Sequence, residues 1–126
     1  MRTVTLAVLV GCGPHVIFDA GDPCFTAPLA APGELVVEVT FLGGEQPPRD
    51  PLCQIEAEGD DLRLRTDVSY ARDRTPFTEL SILTMATASC AVALDAAGAV
   101  TVRFGDEVFE IAVPGDGEPV CPLREG

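Results

Sequence analysis

The residues best able to do chemistry in this 126-residue chain are its cysteines, at Cys12, Cys24, Cys53, Cys90 and Cys121. Zinc sites take their ligands from closely spaced pairs, and no two of the last four cysteines are close in sequence. The lack of a Cys-x-x-Cys motif also argues against a thioredoxin-like redox site. An odd number of cysteines is awkward for a secreted chain, unless one of them has a separate role.

The start of the chain indicates what that separate role is. Arg2 precedes the apolar run Thr3–Val10, which has the length of a secretory signal and is too short to span a bilayer. Residues 9–12, Leu-Val-Gly-Cys, resemble the lipobox of bacterial lipoprotein precursors. This resemblance covers only the first twelve residues. It implies that residues 1–11 are a removable signal peptide and that Cys12 is acylated and becomes the N-terminus.

Cysteine number agrees with this interpretation. With Cys12 acylated, four cysteines remain, and four can form two disulfides. We therefore expect a protein held by an N-terminal lipid anchor in the cell envelope, at the outer membrane or on the periplasmic face. The alternative is a cytosolic β-rich or α/β domain with reduced cysteines, whose buried first strand is residues 3–10.

Charge excludes some partners. The chain has 20 acidic and 8 basic residues, which give a formal net charge of −12. This charge repels nucleic-acid phosphates and anionic headgroups, so we expect neither as a partner. A hydrophobic content of 47% argues against a wholly disordered chain.

Residues suited to catalysis are scarce. His15 is the only histidine, the chain has no lysine, and none of its three serines lies in a Gly-x-Ser-x-Gly motif. The remaining candidates are carboxylates at or beside predicted turns, where Asp is a favoured residue. They are Asp60, Asp61, Asp106, Glu107, Asp116 and Glu118. We expect no catalytic residue, metal or cofactor. One alternative is a Ca²⁺ site where two of these turns meet. Another is a small secreted enzyme that uses carboxylates.

A compact basic spot follows the only tyrosine. Arg72 and Arg74 stand close behind Tyr70, and these residue types are favoured at protein–protein contacts. The three residues are therefore candidates for contacting an envelope protein or glycan, and a solvated loop is the alternative.

Proline and glycine divide the chain into a tether and one domain. Residues 12–33 are interrupted repeatedly, which predicts a semi-rigid tether with at most a short edge strand at Val16–Phe18. Residues 34–126 form a single β-rich domain. Its first strand, Glu34–Leu42, places four apolar residues on one face. These are Leu35, Val37, Val39 and Phe41.

Two hairpins can be registered from the alternation of apolar residues. A type II′ turn at Gly59-Asp60 places Ala57 opposite Leu62, Ile55 opposite Leu64 and Glu56 opposite Arg63. A turn at Gly105-Asp106 places Val102 opposite Phe109 and Val100 opposite Ile111. A loop at residues 96–98 would pair Leu94 with Val100 and Val92 with Val102.

The fold class follows from these strands. Six or seven short strands with tight turns predict an all-β fold, an antiparallel β-sandwich or small barrel. Residues 77–88 favour a strand, with a short helix near residues 76–84 as the alternative. Cys53 and Cys90 occupy core-facing positions, which predicts the disulfides Cys53–Cys90 and Cys24–Cys121, although the sequence alone allows three pairings. The expected function is a non-enzymatic binding or structural role.

Overall fold

The computed structural model describes residues 15–44, 47–70 and 84–122, which form eight β-strands and no helix. Within these ranges, therefore, no helix is long and apolar enough to cross a membrane. The strands are β1 (His15–Phe18), β2 (Asp22–Thr26), β3 (Gly33–Gly43), β4 (Arg49–Glu58), β5 (Asp61–Tyr70), β6 (Thr84–Leu94), β7 (Gly98–Phe104) and β8 (Glu107–Val113).

The strands form two sheets that pack against each other. Sheet A contains β1, β4, β5, β7 and β8, and sheet B contains β2, β3 and β6. In sheet A, β5 is central, with β4 paired along its length. Strand β7 pairs with the start of β5 and β1 pairs with its end; only the β5–β7 pairing is parallel. The expected all-β fold is confirmed, as a β-sandwich of eight strands.

The apolar core lies between the two sheets. In β3, Leu35, Val37, Val39 and Phe41 are at most 1% exposed, as their alternation predicts. Sheet A contributes Leu64, Val68, Val102 and Phe104, which are buried to the same extent. The outward-facing residues between them are mostly polar, so each sheet presents one wet face.

The two tight hairpins have the predicted registers. Ala57 lies opposite Leu62 and Ile55 opposite Leu64, while Val102 lies opposite Phe109. At the first turn Gly59 has a φ of 65° and Asp60 does not have a positive φ, as a type II′ turn requires. Glu56 is opposite Arg63 as expected, but the ion pair of Arg63 is with Glu58, at 3.2 Å.

The predicted pairing of β6 with β7 is wrong. All eleven residues of β6 pair with β3, and β7 pairs instead with β8 and β5. Residues 95–97 therefore carry the chain from sheet B to sheet A. Alternation in β6 determines which face is buried but not which strand lies beside it. Strand β3 offers β6 a ladder of eleven residues, whereas β7 has only seven.

Much of the segment predicted as a tether is folded. Residues 15–26 form β1 and β2, and Phe25 is fully buried. Proline does not disrupt β2 because the Phe25 amide points away from β3, toward Val120. Pro23, two residues earlier, therefore has its nitrogen on the side away from β3. That side is bridged only at Phe25 among the described residues, so proline is tolerated at position 23. The stretch left open between helix and strand was residues 77–88. Residues 77–83 lie outside the described residues, and residues 84–88 belong to β6.

Candidate functional site

The first disulfide joins the two sheets. Cys53 of β4 is bonded to Cys90 of β6, and their Cα atoms are 5.5 Å apart. Both side chains are partly buried against the apolar core. Because β4 belongs to sheet A and β6 to sheet B, the bond closes one side of the sandwich.

The second disulfide ties the two ends of the domain together. Cys24 of β2 is bonded to Cys121, 97 residues later, with the Cα atoms 4.1 Å apart. The neighbouring residues Phe25 and Val120 exchange two backbone hydrogen bonds, of 2.8 and 2.7 Å. The cysteines therefore stand beside a hydrogen-bonded pair, at the position where antiparallel strands approach most closely. These are the two pairs that the sequence predicted.

Of the other predicted site residues, only Tyr70 lies within the described part of the chain. Cys12, Arg72 and Arg74 lie outside the described residues. Tyr70 is half-buried, and its hydroxyl donates a hydrogen bond of 2.8 Å to the carbonyl oxygen of Leu42 in β3. Burial raises the pKa of this hydroxyl by desolvation. The phenol thus connects the two sheets and is engaged within the fold.

The acidic turns do not converge. The parallel register places Leu62 beside Val102 and Leu64 beside Phe104. The turn at residues 59–60 therefore precedes this paired stretch and the turn at residues 105–106 follows it. About six residue steps separate the two turns, or about 20 Å along the strands. Within the described ranges, no three His, Cys, Asp or Glu side chains form a metal-binding group.

A further acidic groove lies beside β8. It has a volume of about 400 Å³, and its lining includes Glu110, Asp116 and Glu118. Asp116 accepts the backbone N–H of Glu118 at 3.0 Å, which is the ordinary use of Asp in a turn. Asp116 therefore has a structural role in the turn, which accounts for one of the carboxylates in this groove.

The most unusual exposed feature is apolar. Val16, Ile17 and Phe18 of β1 are 46%, 39% and 68% exposed, and Leu52 of β4 is 44% exposed. Ile17 lies opposite the buried Val68 and so points to the other face of sheet A. We call the three outward-facing residues, Val16, Phe18 and Leu52, the β1 surface. Phe18 and Leu52 both lie opposite Asp67 of β5, one on each side, so all three point to the same face of sheet A. The β1 surface is thus continuous across β5.

The backbone of β1 is also available on one side. The Asp19 N–H donates to the Thr66 carbonyl at 2.8 Å. Because backbone groups alternate along a strand, the N–H and C=O of Ile17, two residues earlier, also point toward β5. The N–H and C=O groups of Val16 and Phe18 therefore point away from β5. No described strand pairs with that side of β1. Edge strands are usually protected by charged residues or proline, and β1 contains neither.

A groove runs through the β1 surface. It has a volume of about 300 Å³ and lies between Phe18 and Leu52, with Arg65 and Asp67 among the residues that line it. No ion pair joins Arg65 and Asp67. The groove therefore combines apolar walls with an available guanidinium.

All four arginines of the described residues lie on the outer face of sheet A. They are Arg49, Arg63, Arg65 and Arg103. Arg63 pairs with Glu58 at 3.2 Å, and Arg103 pairs with Asp61 at 2.8 Å. Among the described residues, no carboxylate lies within ion-pairing distance of Arg49 or Arg65. These two arginines stand on either side of Leu52 in β4 and β5.

The β1 surface was not predicted as a site. The run Val16–Phe18 is visible in the sequence as a short edge strand, but its neighbour Leu52 is distant along the chain. Only the order β1–β5–β4 brings these residues together. Comparisons of the chain with models of protein families, with curated proteins and with solved structures find no match.

Proposed function

We propose that this protein is a lipid-anchored, disulfide-stabilised β-domain of the cell envelope with a non-enzymatic binding or structural role. Its anchor is an acyl group on Cys12, which becomes the N-terminus once residues 1–11 are removed. Its partner is an envelope protein or a glycan. One acyl chain holds a protein only marginally, so the several chains implied by the lipoprotein resemblance are needed for stable attachment.

Cysteine pairing carries the proposal. The four cysteines of the described residues are joined in two disulfides. Disulfides of this kind indicate an oxidising, extracytoplasmic compartment. The fifth cysteine is Cys12, which stands where the lipobox resemblance requires an acylated residue. The parity of the cysteines and the motif are independent observations, and both lead to the same residue.

The polar side chains support a binding or structural role. Arg63 and Arg103 join neighbouring strands through Glu58 and Asp61, and Asp116 caps a turn. These contacts stabilise the fold, and each has an ordinary structural purpose.

Metabolic labelling tests the anchor. A palmitate analogue supplied to a bacterial host should label the parent protein, and Cys12→Ser should abolish the label because no other cysteine lies in a lipobox. Cys121→Ser is the matched control and should retain the label. Label that persists in Cys12→Ser would contradict the proposal. So would an unlabelled parent with about five free thiols after denaturation without reduction, which is the result expected of a cytosolic protein.

A further inference from the structure

We propose that the β1 surface lies against the lipid bilayer, so that the domain rests on the membrane through one defined face. This inference rests on the proposed acylation of Cys12. It concerns the orientation of the anchored domain, and it assigns Val16, Phe18 and Leu52 to contact with zwitterionic phospholipid.

Chain length keeps β1 close to the anchor. Only residues 13 and 14 stand between Cys12 and the first residue of β1, His15. A fully extended chain spans at most about 3.6 Å per residue, so the Cα atom of His15 lies within about 11 Å of that of Cys12 and Phe18 within about 22 Å. The folded domain is therefore adjacent to the headgroups, with no long spacer before it.

The composition of the β1 surface suits the interfacial region of a bilayer. Val16 and Phe18 of β1 are exposed on the outer face of sheet A, and Leu52 extends this apolar surface across β5. Burial of such side chains at the boundary between headgroups and acyl chains, at a depth of about 5–10 Å, is favourable because it removes apolar area from water. It also covers an edge strand that has no charged side chain to protect it.

The two arginines that have no ion pair with a described residue, Arg49 and Arg65, fit the same orientation. Arg49 lies opposite Ser69, which lies opposite Val16, and Arg65 lines the groove between Phe18 and Leu52. A long arginine side chain can lie along apolar surface while its guanidinium binds lipid phosphate. Asp19 and Asp67 both line the same groove, and the net charge of the chain is −12. These charges favour zwitterionic over anionic lipid.

The opposite face of the sandwich differs in its arginine content. The outer face of sheet B carries exposed Asp22, Glu34 and Glu38, and the described residues place no arginine on it. It also exposes Met85, by 63%, beside Leu42. Met85 is thus an exposed apolar side chain comparable with Phe18, on a face that the proposal directs toward water.

Tryptophan fluorescence tests the orientation, because the chain has no native tryptophan. The lipidated mature chain, which begins at Cys12 and carries Phe18→Trp, or Met85→Trp as the matched control, is reconstituted into phosphatidylcholine vesicles. We expect the Phe18→Trp emission to shift to the blue and to lose about half its intensity or more with brominated phosphatidylcholine, since the residue lies at quencher depth. The Met85→Trp emission should remain as in solution. Leu52→Trp should behave like Phe18→Trp, which guards against a local effect of one substitution.

Flotation of the vesicles separates the two proposals. If the protein floats but Phe18→Trp is quenched no more than Met85→Trp, the orientation is wrong and the anchor stands. If the protein does not float with the vesicles, the anchor is contradicted, and the orientation that depends on it falls as well. Replacing part of the phosphatidylcholine with phosphatidylglycerol should reduce the quenching of Phe18→Trp, because the acidic domain is repelled.

Discussion

Replacement of Cys53 and Cys90 by alanine is expected to lower the free energy of unfolding by about 4 kcal/mol, the loop-entropy value for a bridge over this separation. The two residues are 37 positions apart and join sheet A to sheet B. Without the bond, the unfolded chain regains conformational freedom while the folded chain keeps the same strand pairing. Urea denaturation followed by far-ultraviolet circular dichroism measures the change.

The second bridge should contribute a similar amount. Serine at Cys24 and Cys121 removes a bond between residues 97 positions apart, and the loop-entropy model assigns it between about 4 and 5 kcal/mol. Together the two bonds approach the total stability of a typical small domain, which is about 5–15 kcal/mol. Dithiothreitol should therefore unfold the parent protein. A loss below about 1 kcal/mol in either double variant would contradict the role assigned to that bridge.

Phe25→Ala should destabilise the domain by about 3–5 kcal/mol, the usual cost of deleting a buried phenylalanine side chain. Phe25 is fully buried in β2, and its ring lies 5.7 Å from that of Phe109 in β8. The substitution removes contacts to both sheets and leaves a cavity between them. Thermal or urea denaturation of the variant tests whether residues 22–26 belong to the folded core.

Phe18→Ala is the control for this second prediction. Phe18 is 68% exposed and precedes Phe25 by only seven residues, in the same segment that the sequence predicted as a tether. Its replacement should change the stability in solution by less than about 0.5 kcal/mol, as for other surface substitutions. Equal small losses for both variants would show that residues 15–26 are peripheral, and would contradict the packing of β2.

Local patterns in the sequence predicted the strands and the tight hairpins well. In β3 and in the β4–β5 hairpin, strict alternation gives only one register that keeps the apolar residues together. The turn glycines Gly59 and Gly105 have positive φ values of 65° and 60°, which only glycine adopts readily. Alternation and turn glycines depend only on residues that are neighbours in the sequence, so the sequence is sufficient to predict them.

Two features required information that is not local. The predicted partner of β6 was wrong because alternation specifies a buried face and leaves the neighbouring strand undetermined. The strand β2 was missed because Pro23 and Gly21 look like interruptions, although the Pro23 nitrogen faces away from the β3 ladder. Gly21 has a φ of 96°, and a Cβ there would lie 2.5 Å from Val39 Cγ1, so this position needs glycine for the close approach of the chain to β3.

The candidate site likewise has a part that the sequence predicts and a part that it does not. The pairing of Cys53 with Cys90 could be predicted because both cysteines stand on core-facing positions of recognisable strands. The β1 surface could not, because it combines β1 with Leu52 through the intervening strand β5. Tyr70 was predicted as an exposed contact residue, but its position in the inward-facing alternation of β5 also places its hydroxyl near Leu42.

The most direct test of the acyl anchor and the disulfide pairing is the intact mass of the protein, purified from a bacterial membrane fraction and measured without reduction. We expect a chain that begins at Cys12 and carries acyl groups, with both disulfides formed and no free thiol. A chain that retains residues 1–11 without acyl mass, and has five free thiols, would contradict the anchor and the disulfide pairing together.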